Sequence, residues 1–159
     1  MGYLRTVRGA RLETIILRTH KRESDVRKRL AALENVGAIV EEGGVFRLVH
    51  EWRDILPEIV AVEVKVSDWR RATRQAARNR VFAHRVYVAL PEAVATRVKG
   101  EPEFATKGIG VVAIHPDGTS RVARPARRES PLVWAYYYGL ALIIGGRKGT
   151  IDRAVRSPS

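Results

Sequence analysis

The chain of 159 residues contains no cysteine. That absence excludes a disulfide scaffold, a cysteine-ligated zinc site and a thiol nucleophile, and it suits a reducing compartment such as the cytoplasm. Acidic residues are scarce relative to basic ones: 17 Asp and Glu stand against 29 Lys and Arg. No apolar run reaches the ~20 residues of a membrane-spanning helix. The longest, "PLVWAYYYGLALIIGG" at 131–146, starts at a proline and reads as a buried or interface helix. The first residues, "MGYLRTVRGARLE", carry no apolar signal-peptide core. Internal repeats and low-complexity linkers are also missing.

What is present is charge of one sign. The net charge is +12 and the pI is near 10.8. Such a surface attracts polyanions, with DNA the expected partner and RNA the other polyanion that the charge would suit. Hydrophobic residues make up 45%, so the chain has enough apolar material for a packed core.

Periodicity gives the order of elements. Residues 9–20 read as a helix. A second helix spans about 25–36, capped by Ser24 or Asp25 and stopped by Gly37. Its inner stripe is Val26, Leu30, Leu33 and Val36, and Arg27, Lys28 and Arg29 lie on or beside its outer face. "AIVEEGGVFRLVHEW" reads as a hairpin turning at Gly43-Gly44. A strand at 59–66, a helix at 68–82 and a strand at 84–90 form a βαβ unit with parallel strands. A short helix at 92–98, a strand at 108–115, a turn at "PDG" and a strand at 119–125 follow, before the apolar helix 131–144. The hairpin is expected to add antiparallel strands to the sheet of 59–66.

In "EIVAVEVKVSDWRRATRQAARNR", residues 58–80, Glu63 and Lys65 interrupt an apolar strand. A buried, unpaired carboxylate costs several kcal/mol, roughly 2–7. A buried pair is seldom better than two apolar residues. On a strand, Glu-x-Lys is half of a metal-dependent phosphodiesterase site. The carboxylate holds Mg²⁺ or Mn²⁺, the metal activates water, and the lysine steadies charge on phosphorus.

With "VEVK" on the third strand of an α-β-β-β-α-β order, the chain resembles the PD-(D/E)XK nuclease superfamily, the restriction-endonuclease-like fold. The resemblance covers about 24–90, and Gln75 matches the helix glutamine of several of its branches, the RecB-like nucleases among them. It implies an αβββαβ mixed sheet flanked by helices. It also implies Glu63 as metal ligand, Lys65 as catalytic lysine and Gln75 as an organiser of the site. The family's upstream Asp has no "PD" here. Asp54 is the chosen second metal ligand, with Glu51 and Glu58 as the other candidates. Asn79 stands where RecB-like members carry Tyr. Arg70, Arg71, Arg74 and Arg78 on the following helix would line a phosphate track.

"SDVRKRLAALENVGAIVEEGGVFRLV" also resembles the second half of a winged-helix domain. In that reading Arg27 and Lys28 belong to a recognition helix and the hairpin is the wing. The two readings give one domain over 1–159, or a split into 1–50 and 51–159. They give two functions: a Mg²⁺-dependent homodimeric DNA endonuclease, with helix 131–144 as its candidate pairing element, or a non-enzymatic DNA-binding protein. Pairing of strand 45–52 with strand 59–66 separates them.

Overall fold

Seven helices and two sheets alternate along the chain in the computed structural model, which describes residues 1–56 and 58–155, the stretch 145–155 by its backbone alone. The protein is a mixed α/β chain that divides into two compact units. One comprises Met1–Pro57 with Val133–Ser159, and the other comprises Glu58–Leu132.

The first unit opens with α1 (Gly2–Thr6), β1 (Ala10–Arg11), α2 (Leu12–Thr19) and α3 (Glu23–Asn35). The hairpin β2 (Ile39–Glu42) and β3 (Val45–Leu48) follows. The strands order as β1-β3-β2, all antiparallel, with Ala10 opposite Phe46 and Ile39 opposite Leu48. Leu4, Ile15, Val26, Leu30, Ile39 and Leu48 form the core. Both hairpin glycines have positive φ, 59° at Gly43 and 75° at Gly44. A type I′ turn requires this at both central residues, and its twist matches that of the strands.

Several boundaries differ from the sequence expectation. Residues 10–11 are a strand, because Gly9 lets the chain run hard against Val45 and Arg47. Neither Ser24 nor Asp25 caps α3, which starts at Glu23 behind Arg22 with no side-chain cap. Glu23 and Asp25 instead sit in its first turn, where they complement the helix dipole. Val36 lies beyond the helix end and is 57% exposed, since Gly37 at φ 68° turns the chain away from the inner stripe.

The first unit closes with α7 (Trp134–Val155). Tyr137 and Tyr138 on this helix are buried. Their hydroxyls bind the main chain of 52–56: Tyr137 bonds Leu56 at 2.8 and 2.9 Å, and Tyr138 donates to Trp52 at 2.9 Å. No described helix is long and apolar enough to cross a membrane.

The second unit contains β4 (Val60–Val64), α4 (Trp69–Arg78), β5 (Arg85–Pro91), α5 (Glu92–Val98), α6 (Pro102–Lys107), β6 (Gly110–Ile114) and β7 (Ser120–Arg124). The sheet order is β4-β5-β6-β7, with β4, β5 and β6 parallel and β7 antiparallel. The expected βαβ unit is present as β4-α4-β5. Asp68 caps α4 by accepting a 2.9 Å hydrogen bond from the Arg71 amide. Val86, Val88, Leu90, Val111 and Ala113 are fully buried, as are Ala72, Ala76 and Phe104.

The hairpin does not join this sheet. β3 pairs with β1 and β2, and among the described residues β4 has β5 as its one neighbour. The expectation of a continuous sheet through 45–66 is therefore corrected. β3 already has a partner on each side, which leaves it no free edge to offer β4.

Candidate functional site

Two surfaces collect the residues singled out from the sequence. The first is α3. Arg27, Lys28 and Arg29 are all exposed. Arg27 donates to Glu23 one turn earlier at 2.8 Å. A solvent-exposed i,i+4 pair is worth only about 0.3–0.5 kcal/mol, so a phosphate can displace it. On the hairpin, Arg47 pairs with Glu42 at 3.0 Å in an equally open setting.

The second surface is β4. Side chains alternate along the strand, so Glu63 and Lys65 share a side with Ile59 and Ala61, both buried. Val60, Val62, Val64 and Val66 face the other side and are 48–77% exposed. The valines are thus the outward residues and the charges the inward ones. Their burial is nonetheless partial, because β4 is an edge strand: the Glu63 and Lys65 side chains are 24% and 35% exposed. They pair with each other at 3.5 Å. Partial exposure and this pairing lower the desolvation cost that a central strand would impose.

Gln75 lies on α4, and its Oε1 is buried without a hydrogen-bond donor among the described residues. Native buried acceptors are seldom left so, and a bound group is one explanation. Arg70, Arg71, Arg74 and Arg78 are exposed on the outer side of α4. Arg70, Arg74 and Arg78 follow at four-residue steps and form one cationic ridge. Arg70 also stacks over Trp69, 4.5 Å from the ring centre.

The candidate acids divide between the two units. Asp54 belongs to the first unit and binds Arg5 at 3.2 Å, and Arg5 in turn stacks on Trp134 at 4.3 Å. Glu51 is exposed on a short 3₁₀ turn, His50–Trp52. Glu58 is held by Arg85 at 3.0 Å and Arg128 at 3.3 Å. Among the described residues no three His, Asp or Glu side chains gather as metal ligands. Mg²⁺ commonly binds through one or two carboxylates plus substrate phosphate. Glu63 fits that minimal role and does not form a closed protein cage.

The C-terminal ends of the parallel strands open into a cleft of about 490 Å³ lined by Lys65, Glu92 and His115 among apolar neighbours. This is where open α/β sheets usually place ligands. Glu92 is engaged there, by His115 at 2.8 Å and Arg121 at 3.4 Å.

Three side chains with structural weight were not legible beforehand. Arg80 is 6% exposed and pairs with Glu129. His84 is buried and accepts a 3.0 Å hydrogen bond from the Ile59 amide at the start of β4. Tyr138 hides its hydroxyl against the 52–53 carbonyls, and burial pushes its pKa up to about 12. Arg80 lies on a short 3₁₀ turn, Asn79–Val81, just past the end of α4, and no local signal in the sequence marks it as buried.

Comparison of the chain with family models, with curated proteins and with solved structures finds no match.

Proposed function

We propose that the protein binds duplex DNA through its N-terminal unit. The observation that carries this is the order helix, strand, helix, helix, hairpin closed by the sheet β1-β3-β2. That is the arrangement of a winged helix, in which the last helix before the hairpin enters the major groove. Here that helix is α3. Its exposed Arg27 and Lys28 suit base edges and phosphates, and the β2-β3 hairpin serves as the wing. The charge of +12 supplies the long-range attraction.

The test is fluorescence anisotropy of a labelled duplex titrated with protein at several salt concentrations. Arg27→Ala and Lys28→Ala should each weaken binding and flatten the salt dependence by about one unit of slope. If both leave binding intact while Arg70→Ala, Arg74→Ala and Arg78→Ala abolish it, the reading through α3 is wrong.

A second reading, that the DNA-bound protein also cuts the phosphodiester backbone, is favoured by Glu63 and Lys65 sharing the inward side of β4 and by the unpartnered acceptor of Gln75 on α4. These residues keep the resemblance to PD-(D/E)XK nucleases open. Glu63 would hold Mg²⁺ or Mn²⁺ together with a substrate phosphate, and the metal would supply an activated water. Lys65 would offset charge on the phosphate. Supercoiled plasmid with either metal should then be nicked, and nicking should vanish in Glu63→Gln and Lys65→Ala with binding kept. Binding without nicking in both metals refutes this second reading and leaves the first standing.

A further inference from the structure

We propose that β4 is a self-complementary edge, and that a second copy of this chain pairs with it antiparallel about a two-fold axis at Val64. The proposal does not rest on either functional reading.

β4 borders the sheet and, among the described residues, has one neighbour, β5. The Lys65 amide donates to Ala89 at 3.1 Å, and the Ile59 carbonyl accepts from His84 at 2.8 Å. Odd-numbered residues therefore turn their main-chain groups toward β5. Val60, Val62 and Val64 turn theirs toward the open edge, and Val66 follows two residues past the end of the strand. No proline or bulge interrupts this edge. Its one guard against pairing is the inward charged pair Glu63 and Lys65, a device that normally keeps edges apart.

The same two charges select a register. An axis at Glu63 sets carboxylate against carboxylate, and an axis at Lys65 sets ammonium against ammonium. An axis at Val62 leaves Glu63 opposite the partner's Ala61 and Lys65 opposite the partner's Ile59. An axis at Val64 places Glu63 against the partner's Lys65, and Lys65 against the partner's Glu63. On the other side it sets Val64 against the partner's Val64, and Val62 against the partner's Val66. Directly opposite side chains across antiparallel strands interact at close range, and like charges there are destabilising. One register thus matches both faces, the charged and the apolar, and Val62, Val64 and Val66 are 49%, 61% and 77% exposed and open to it. The isologous pairing closes as a dimer. The net charge of +12 on each chain opposes it at low salt, whereas the contact itself is locally neutral.

Sedimentation equilibrium of the full chain, in wild type and three charge variants, tests the register. Wild type should dimerise. E63K and K65E should each raise the dimer dissociation constant at least about tenfold, because both cross-strand pairs turn repulsive. The double variant E63K/K65E should restore dimerisation. An equimolar mixture of the two single variants should form a mixed dimer. Circular dichroism confirms that each variant is folded. In the wild-type dimer the amides of Val62 and Val64 should exchange slowly with solvent, and dilution should release them. A wild type that stays monomeric at the highest concentration it tolerates overturns the proposal. So do single variants that dimerise as well as wild type, or a double variant and a mixture that fail to recover.

Discussion

Replacing Glu129 with alanine removes the carboxylate that neutralises Arg80, a guanidinium in a residue only 6% exposed. Arg80 keeps one further acceptor, the His84 carbonyl, at a long 3.4 Å. Burial and the nearby Arg127 already lower the Arg80 pKa, so the site disfavours an unpaired cation. Breaking a buried pair by deleting one partner costs about 3–5 kcal/mol. The Glu129 side chain is 38% exposed, which lets water reach the vacated position. The expected loss is therefore about 2–3 kcal/mol. Arg80→Met should cost less, about 1 kcal/mol, because the Glu129 left behind can be solvated and can pair with Arg127. The informative comparison is the double variant Arg80→Met/Glu129→Ala, which should be more stable than Glu129→Ala alone, since neither charge remains buried. Trp69 reports the second unit. It is 8% exposed and packs 5.5 Å from Phe104, and the other two tryptophans, Trp52 and Trp134, lie in the first unit. Urea unfolding followed by Trp69 fluorescence in a Trp52→Phe/Trp134→Phe background gives the midpoints. With a slope of about 1 kcal/mol per M, Glu129→Ala should shift the midpoint down by about 2–3 M. A negligible shift, or a double variant no better than Glu129→Ala, would refute the reasoning.

Two further outcomes follow from named groups. In the unfolded chain the Tyr138 hydroxyl ionises near 10.0, but in the folded protein it keeps its proton to about 12. Between these values the unfolded state binds fewer protons, so stability should fall as pH rises from about 10 to about 12, by up to roughly 2–3 kcal/mol, and then level off. Urea midpoints across that range should slope less in Tyr138→Phe, and equal slopes would count against the assignment. Gly44 has φ 75° and nothing near its missing Cβ, so Gly44→Ala should cost about 1 kcal/mol or more from the backbone alone. Gly100 is equally open without a positive φ, and Gly100→Ala should leave the thermal midpoint unchanged or raise it.

Locally encoded features could be read from the sequence. Gly43-Gly44 marked the hairpin, the pair Ser67-Asp68 the start of α4, where Asp68 proves to be the cap, and Gly37 the end of α3. Each acts within a few residues of itself. α6 carried the same kind of signal, Pro102 at its first turn and Gly108 with φ 64° at its end, and was missed because its run is short. Pairing between distant segments was not encoded locally. β1 is two residues long and exists through its match with Phe46 and Val45. Nothing near "VFRL" states that its free side takes β1 rather than β4. The inward placement of Glu63 and Lys65 followed from alternation, but their exposure depended on where β4 falls in its sheet order.

That order changes what Glu63 and Lys65 imply. Had β4 been a central strand, two buried charges would have carried a desolvation cost for which only a bound metal or phosphate could account. At an edge, half-open and 3.5 Å apart, they need no ligand to be tolerated. Their presence alone therefore does not argue for catalysis. Two physical roles remain, and they make opposite demands. A phosphodiesterase needs the carboxylate at 63 and the ammonium at 65 as individual groups. A strand-pairing edge needs only that the two charges be opposite. The exchange variant E63K/K65E separates them: it keeps the pairing and destroys the metal ligand. A protein that dimerises and still nicks DNA after that exchange would place its chemistry elsewhere. One that dimerises and no longer nicks would assign both roles to the same pair of side chains.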